Sequence, residues 1–306
     1  MPENKFRLLV LYIALLASSV GQDSAVRQND QVPPGDNLVL QDIPPVPVSL
    51  ARDVARYTQG RAAEILAWHP FRREMLIATW FCNTAQVFQV TFPRGARTQL
   101  TFNEDRSTAG VSYDPVKGDF FIYIRDQGGD QNFQIYRHDF DSGIETLLTD
   151  GKSKNSAGVW SNAGDRIVYG STRRNGTDVD LYVMNTRDPE TDRLLIKLEG
   201  NGWSALDWSP DDKKIVAEEE ISVNESYLWL IDVATGMKEL LTPKAQEKPS
   251  SEKTPGEKTS GTQASGEKVH YGQAHFNRDG KGLYVVTDRD SQFQRLALFD
   301  PSTQQF

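Results

Sequence analysis

Three adjacent glutamates, Glu218, Glu219 and Glu220, form a compact acidic cluster in the sequence. Neighbouring carboxylates repel one another, so a cationic partner would stabilise them. The chemistry they could supply is recognition of a cation, such as the free amino terminus of a peptide, with all three as substrate-binding residues. The alternative, which we prefer from the sequence, is a solvated strand end, because they follow the apolar strand predicted at Lys214–Glu218.

Nucleophilic catalysis has little support in the sequence. The G-x-S-x-G elbow that exposes a catalytic serine does not occur. The segment Gly110–Asp114 matches the first half of that motif and fails at its last position, with Ser112 on a predicted inner strand. Cys82 is the only cysteine, so no internal disulfide can form, and we expect it to be a buried apolar residue. We therefore identify no catalytic residue and expect no activity from this chain by itself.

The residue types that bind metals are scattered along the chain. The four histidines, which form no His-x-x-x-His motif, are His69, His138, His270 and His275. We expect them to be surface or turn residues, although the last two share one repeat. Asp178 and Asp180 are expected to solvate one face of a strand. The sequence thus predicts neither a metal site nor a cofactor.

The net charge of −8 excludes a generally basic surface for nucleic acid. The best basic candidate is the pair Arg173 and Arg174, which we interpret as the solvated tip of a hairpin. We therefore predict no nucleic-acid partner.

The stretch from Gly202 to Thr242 contains four short apolar segments separated by turn residues. These segments predict strands at Trp203–Trp208, Lys214–Glu218, Tyr227–Asp232 and Lys238–Leu241. The third is apolar at almost every position, so both of its faces should be buried. A four-stranded meander with covered inner strands is typical of a blade of a β-propeller.

The same pattern recurs along the chain. An aromatic residue precedes a polar turn at five positions: Trp68, Tyr113, Trp160, Trp208 and Phe276. The spacings are 45, 47, 48 and 68 residues, and the last becomes 43 without the low-complexity segment 244–268. Several repeats also end in Leu-Thr, and propeller blades commonly repeat every 40–50 residues. We predict an all-β propeller of about five four-stranded antiparallel blades, at residues 63–101, 108–149, 156–198, 203–242 and 269–306. The alternative is a long β-sandwich, which the regular period disfavours.

The ring of blades is predicted to be open. No good closing strand is evident before residue 63, where the chain is Pro-rich and then has helical spacing. The first and fifth blades should therefore each expose an apolar face, which we expect to include Met75–Ala78 and Leu283–Val286.

The regions outside the blades have distinct compositions. Residues 1–21 resemble a signal peptide, with Lys5 and Arg7 before a short apolar core. Cleavage would give an exported protein, periplasmic or secreted, with no stable membrane insertion; an uncleaved anchor is the alternative. Residues 22–62 are a Pro-rich linker with a possible short helix at Val48–Gln59. The segment 244–268 is too polar to form a core and is expected to be disordered.

Several motifs resemble a known family. The Trp208–Lys214 turn, the Tyr227–Gly236 strand and the closing Leu241-Thr242 resemble propeller repeats of the TolB type. The Trp68–Ile77 and Thr287–Leu296 segments are more similar to exported bacterial peptidases of the prolyl-oligopeptidase family, whose N-terminal propeller restricts access to an α/β-hydrolase domain. The resemblance implies the non-catalytic, substrate-gating part of such a serine peptidase, with a hydrolase domain missing from this chain. The alternative is a free-standing TolB-like propeller that binds a protein or peptide partner.

Overall fold

The structure is a computed structural model that describes residues 30–60, 62–80, 84–243 and 268–306. It separates into two compact units, one up to Ala62 and the other from Ala63 to Phe306. The first contains helix α1, Val48–Thr58, in the segment where a short helix is predicted. The segment predicted as a signal peptide, Cys82 and residues 244–267 lie outside the described residues. Within the described part, no helix has the length and apolar character needed to cross a bilayer.

The second unit consists of five antiparallel sheets that follow one another along the chain. Blades 1 and 2 contain β1 (Glu64–Trp68), β2 (Met75–Thr79), β3 (Gln86–Val90) and β4 (Arg97–Gln99), then β5 (Ala109–Tyr113), β6 (Phe120–Arg125), β7 (Gln134–Asp139) and β8 (Glu145–Leu147). Blades 3 and 4 contain β9 (Val159–Trp160), β10 (Ile167–Ser171), β11 (Asp180–Asn185) and β12 (Asp188–Ile196), then β13 (Trp203–Trp208), β14 (Lys214–Ser222), β15 (Glu225–Asp232) and β16 (Lys238–Leu240). Blade 5 has three strands, β17 (Tyr271–Phe276), β18 (Leu283–Thr287) and β19 (Arg295–Phe299).

Apolar clusters between successive blades form the core. Leu76 and Val87 of blade 1 pack against Tyr113 and Phe121 of blade 2. Equivalent clusters join blades 2 and 3, blades 3 and 4, and blades 4 and 5. This sequential packing of four-stranded meanders confirms the predicted β-propeller, although blade 5 lacks a fourth strand among the described residues.

The aromatic residue that marks each repeat ends the first strand of its blade. In two blades its indole also connects it to the preceding blade: Nε1 of Trp160 donates to Oγ of Ser112 at 2.9 Å, and Nε1 of Trp208 donates to the carbonyl of Val159 at 2.9 Å. Ser112, considered above as half of a nucleophile motif, therefore has a structural role. In these two blades the repeated aromatic residue thus contributes to the contact with the preceding blade.

The closing Leu-Thr dipeptides fasten the fourth strand to the third. In blade 4 the amide of Leu228 donates to Oγ1 of Thr242 at 3.0 Å, and the amide of Leu241 donates to the carbonyl of Leu228 at 2.8 Å. The same bonds join Leu100-Thr101 to β3 and Leu148-Thr149 to β7. A buried threonine hydroxyl thus satisfies a backbone donor that a short fourth strand would leave unpaired.

The ring is open, as predicted: among the described residues, blades 1 and 5 make no contact with each other. Four residues at one repeat position, on the face that packs against the following blade, are fully buried: Val87, Ile135, Leu181 and Leu228. Register places Leu296 at the same position in blade 5, where it is 69% exposed. No described blade covers this face.

The segments expected to be exposed on the terminal blades are only partly so. Leu76 and Ile77 are buried, the first against blade 2 and the second in a cluster with Phe88, so the expectation for Met75–Ala78 is wrong. Leu283 is also buried, because alternate residues of β18 face blade 4. On the strands of these two blades, the exposed large apolar residues are instead Ile65 and Trp68 on blade 1, and Tyr284, Leu296 and Leu298 on blade 5.

Candidate binding site between blades 4 and 5

Strand β14 is longer than the sequence indicated. It was predicted to end at Glu218, with the acidic cluster as its solvated end. It continues to Ser222 because its pairing with β15 extends to the pair Ser222–Glu225. The three glutamates therefore lie inside a strand.

Strand alternation divides the acidic cluster between two faces of the blade. The carboxylate of Glu219 accepts a 2.9 Å hydrogen bond from Nε1 of Trp229. On that side, Nζ of Lys238 lies 4.3 and 4.4 Å from the ring centres of Trp203 and Trp229. Glu218 and Glu220 belong to the opposite face, so the three carboxylates do not form one site.

Glu218 occupies a position that is apolar or small in every other blade. This position is on the second strand of each blade. Its residue pairs with the third-strand residue that binds the closing Leu-Thr dipeptide or, in the blades without that dipeptide, with the equivalent third-strand residue. The equivalents, read from the strand registers, are Ala78, Ile124, Gly170 and Val286. A carboxylate at the interface between two blades is thus a departure from the repeat, and such departures are typical of functional sites.

Three residues from neighbouring elements surround Glu218. Ser226 is the second residue of β15, His270 directly precedes β17, and Gly272 is the second residue of β17. Ser226 Oγ is 3.4 Å from Nδ1 of His270. A Cβ added to Gly272 would lie 2.8 Å from Nε2 of His270 and 3.5 Å from Oε1 of Glu218. The glycine therefore allows His270 and Glu218 to approach the backbone of β17.

Burial raises the pKa of Glu218, and the nearby charge of Glu220 raises it further. The neighbouring His270 and Ser226 act in the opposite direction. Among the described residues, no lysine or arginine forms an ion pair with Glu218. A partly desolvated carboxylate without a basic partner is a suitable ligand for a cation.

The serine, histidine and carboxylate in this site do not form a nucleophilic triad. Ser226 is fully buried, and its Oγ donates to the carbonyl of Tyr271 at 2.7 Å and accepts from the amide of the same residue at 2.8 Å. A serine held by two backbone bonds is positioned as a structural residue rather than for attack. The geometry favours binding.

The other candidate residues are more structural than the sequence suggested. His69 and His138 were expected to be surface or turn residues. His69 lies in a turn and His138 in strand β7, and both are buried, which lowers the pKa of each. Nδ1 of His69 accepts the amides of Phe71 and Arg72, each at 3.1 Å, and so caps the turn after β1. No group of three possible metal ligands occurs in the described residues.

The basic pair and the two aspartates also differ from expectation, because they form ion pairs. Nε of Arg174 lies 2.6 Å from buried Asp180, and its Nη2 lies 3.0 Å from Asp178. Nη1 of Arg173 lies 2.5 Å from Asp192. Ion pairs therefore hold this hairpin in place, whereas the sequence pattern had indicated that these charged side chains are solvated.

Sequence alone could not assemble this site. Ser226 and His270 are 44 residues apart, with a low-complexity segment between them. A signal was nevertheless present: when the second strands of the repeats are aligned, the position of Glu218 is charged in blade 4 and uncharged in the other four blades. His270 had been noted without a partner.

No family model and no curated protein matches the sequence. Solved structures with a similar fold include TolB from Acinetobacter baumannii, with a TM-score of 0.50, 14% identity, and coverage of 80% of this chain and 53% of that one. An oligogalacturonate lyase in complex with manganese gives a TM-score of 0.58, 14% identity and coverage of 80% and 65%. A prolyl endopeptidase gives a TM-score of 0.56, 13% identity, and coverage of 80% of this chain and 34% of that one. These similarities show a TolB-like propeller fold, and the chain spans less than two thirds of each of these proteins.

Proposed function

We propose that this chain is the peptide-binding propeller portion of an exported protein of the prolyl-oligopeptidase type, which acts with an α/β-hydrolase domain. In this proposal the propeller admits and orients peptides and performs no bond cleavage. Glu218, assisted by Glu220, binds the positively charged amino terminus of the peptide. The observation that carries the proposal is the half-buried carboxylate of Glu218, which forms no ion pair with a described lysine or arginine and occupies a position that other blades keep apolar or small.

Charge and geometry support an amine as the ligand. The cluster is anionic, and the chain as a whole carries a net charge of −8, so cationic groups are attracted at long range. An ammonium group would form charge-assisted hydrogen bonds to carboxylate oxygens, which are stronger than neutral ones. The fold similarity to a prolyl endopeptidase is consistent with peptide binding but concerns the fold alone.

Calorimetric titration with a short peptide tests the proposal. The tripeptide Ala-Pro-Phe has a charged amino terminus, and its N-acetylated form has a neutral acetyl amide in its place. We expect the free amine to bind at least about tenfold more tightly, a difference of 1.4 kcal/mol. The substitution Glu218→Gln should abolish the preference, whereas Glu239→Gln, on the exposed strand β16 of the same blade, should retain it. Equal affinity for the two peptides in the wild-type protein would refute amine recognition.

The alternative is a free-standing TolB-like propeller that binds a protein partner, and the same fold similarities support it. The genomic sequence downstream of the codon for Phe306 separates the two. An in-frame hydrolase domain with a G-x-S-x-G motif supports the peptidase type, whereas a stop codon supports the free-standing propeller.

A further inference from the structure

A groove of about 480 Å³ lies between blades 1 and 2. One side is formed by the residues that follow β4, and the other by β7, β8 and the turn that joins them. The side chains that matter for its chemistry are Leu100, Phe102, Asn103, His138, Phe140 and Glu145. The groove therefore combines apolar rings with an amide, an imidazole and a carboxylate.

Two buried side chains in this groove have a polar atom without a hydrogen-bond partner among the described residues. His138 is 4% exposed and the unpartnered atom is Nδ1, whereas Asn103 is 7% exposed and the unpartnered atom is Nδ2. Oδ1 of Asn103 accepts a hydrogen bond from Nη1 of Arg125, so the amide is held with Nδ2 as the donor that is left over. Buried polar atoms are rarely left unpaired in native proteins, and a ligand is one reason for them.

The position of His138 is apolar in every other blade. It lies three residues after Ile135 on the third strand, and the residues at the same distance along the other third strands are Val90, Met184, Ile231 and Phe299. All four are buried. The ring of His138 stacks at 4.9 Å on that of Phe121, which packs against blade 1. A histidine on this face is therefore a departure from the repeat, and such departures are typical of functional sites.

Blade 3 shows which group binds a carboxylate at the position of Glu145. The equivalent residue is Asp192, because each acid lies two residues before the fourth-strand leucine that pairs with the third-strand tyrosine. Each acid also accepts a hydrogen bond from a second-strand tyrosine, at 2.6 Å in blade 2 and 2.9 Å in blade 3. In blade 3 the carboxylate has a further partner: Nη1 of Arg173 lies 2.5 Å away, and this guanidinium lies 3.6 Å from the ring centre of Tyr182.

Glu145 lacks that further partner. No described lysine or arginine forms an ion pair with it, and Nδ1 of His138, at 3.9 Å from Oε1, is too far for a hydrogen bond. Arg125 attracts Glu145 electrostatically, but its guanidinium donates to Asn103 and lies 4.8 Å from the ring centre of Tyr136. The side chain of Glu145 is 33% exposed, so a ligand in the groove can reach its carboxylate.

We propose that this groove binds the arginine side chain of another polypeptide. The guanidinium would donate to the carboxylate of Glu145 and to Nδ1 of His138, and a backbone carbonyl of the ligand would accept from Nδ2 of Asn103. The planar guanidinium matches a carboxylate and stacks on aromatic rings, which are supplied here by Phe140 and by Phe102, 73% exposed. The groove lies between blades 1 and 2, whereas Glu218 lies between blades 4 and 5, so this proposal and that of amine recognition fail independently.

An NMR titration tests the proposal. The probe is Nα-acetyl-arginine N-methylamide, which has no free amino terminus, and its citrulline counterpart has a neutral urea in place of the guanidinium. We expect the arginine compound to bind at least about tenfold more tightly, because the charged hydrogen bonds to the carboxylate are lost in citrulline. The largest shift changes should fall on the side-chain signals of Asn103 and His138. Equal binding of the citrulline compound, tighter binding of the lysine analogue, or shift changes centred on Glu218 and His270 would overturn the proposal.

Three protein variants complete the test. Glu145→Gln keeps an acceptor for the hydroxyl of Tyr123 and should weaken binding of the arginine compound at least about tenfold. Glu104→Gln makes the same chemical change at an exposed position outside the groove and should bind as the wild type does.

His138→Met introduces the residue that blade 3 has at this position, so the fold should be kept while the imidazole is lost. Binding should weaken at least about threefold, the size expected for one hydrogen bond. Far-UV circular dichroism checks that each variant is folded. Wild-type affinity in both Glu145→Gln and His138→Met would overturn the proposal.

Discussion

The carboxyl group of Glu218 is buried at an interface where the other blades place apolar side chains, and this has a cost for stability. Burial raises its pKa, so the folded chain retains the proton to a higher pH than the unfolded chain, in which glutamate titrates near 4.3. Above that value the folded state binds more protons than the unfolded state, so the contribution to stability falls as pH rises through the raised pKa. A neutral isostere removes the penalty.

We therefore predict that Glu218→Gln stabilises the protein at pH 8 by about 1 kcal/mol, the size typical of a buried polar group that lacks a full partner. The difference should shrink as pH falls towards 4, because the wild-type carboxyl becomes increasingly protonated in both states. Thermal melting from pH 4 to 8 measures the effect. Glu239→Gln, on exposed β16, should show no such trend, and a variant that is less stable than wild type at pH 8 would contradict the burial argument.

Thr242 gives a second prediction at the level of single residues. Thr242→Val keeps the shape of the side chain but leaves the buried amide of Leu228 without its acceptor. We expect a loss of about 1–3 kcal/mol, measured by urea denaturation. Thr98→Val, on the exposed strand β4, serves as the control and should change stability little. If the two variants behave alike, the hydroxyl is not what fastens the fourth strand.

Some of these residues could be recognised in the sequence, and others could not. The Leu-Thr endings and the aromatic positions recur at a fixed period, so their importance was visible before the hydrogen bonds that explain them. Arg174 and Asp180 were predicted to be solvated. The local sequence pattern does not show that the turn places the guanidinium of Arg174 against the carboxylate of Asp180 on the following strand. The proximity of Glu218 to His270 depends on contact between two blades, which no local pattern encodes.

At the level of elements, the first strand of each blade attaches to the blade before it. The indole of Trp208 is 1% exposed and donates to Val159 of blade 3, whereas Trp68 ends the equivalent strand of blade 1 and is 62% exposed. The strands themselves were predictable, because turn residues mark the beginning and the end of most of them. The extension of β14 to Ser222 was not, because three adjacent glutamates do not match the pattern of a strand, and only the pairing with β15 continues that far.

The two tryptophans form a matched test of attachment between blades. Trp208→Phe removes the hydrogen bond to Val159 and some buried area, so we expect a loss of about 2 kcal/mol. Trp68→Phe makes the same chemical change in blade 1, which no described blade precedes, and should alter stability by less than about 0.5 kcal/mol. Far-UV circular dichroism in urea measures both without relying on indole fluorescence. Similar losses for both would mean that Trp68 also supports the fold.

At the level of the whole propeller unit, sequence periodicity predicted the blades and the open ring, but not which residues the open ring exposes. That depends on the face to which each strand residue points, and a shift of one residue reverses it. The prediction chose whole strands, Met75–Ala78 and Leu283–Val286, whereas alternation exposes only every second residue. Tyr284 is 46% exposed, while its equivalents in blades 1 to 4 are 0–1% exposed.

The exposed face of blade 5 leads to a prediction about association. Tyr284, Leu296 and Leu298 lie on adjacent strands and form an apolar surface of the kind that mediates contact between blades elsewhere in the unit. Such surfaces on soluble chains associate or bind hydrophobic dyes. We therefore expect the purified protein to bind anilinonaphthalene sulfonate and to show a mass that rises with concentration in analytical ultracentrifugation.

The double variant Tyr284→Lys/Leu296→Lys should lose most of the dye signal and sediment as a monomer, because charge on this face opposes its burial. Val223→Lys, at an exposed turn position, adds a charge elsewhere and should behave as the wild type does. A monodisperse wild-type monomer that binds no dye would show that this face is stable in water, and the open ring would then be a self-sufficient fold.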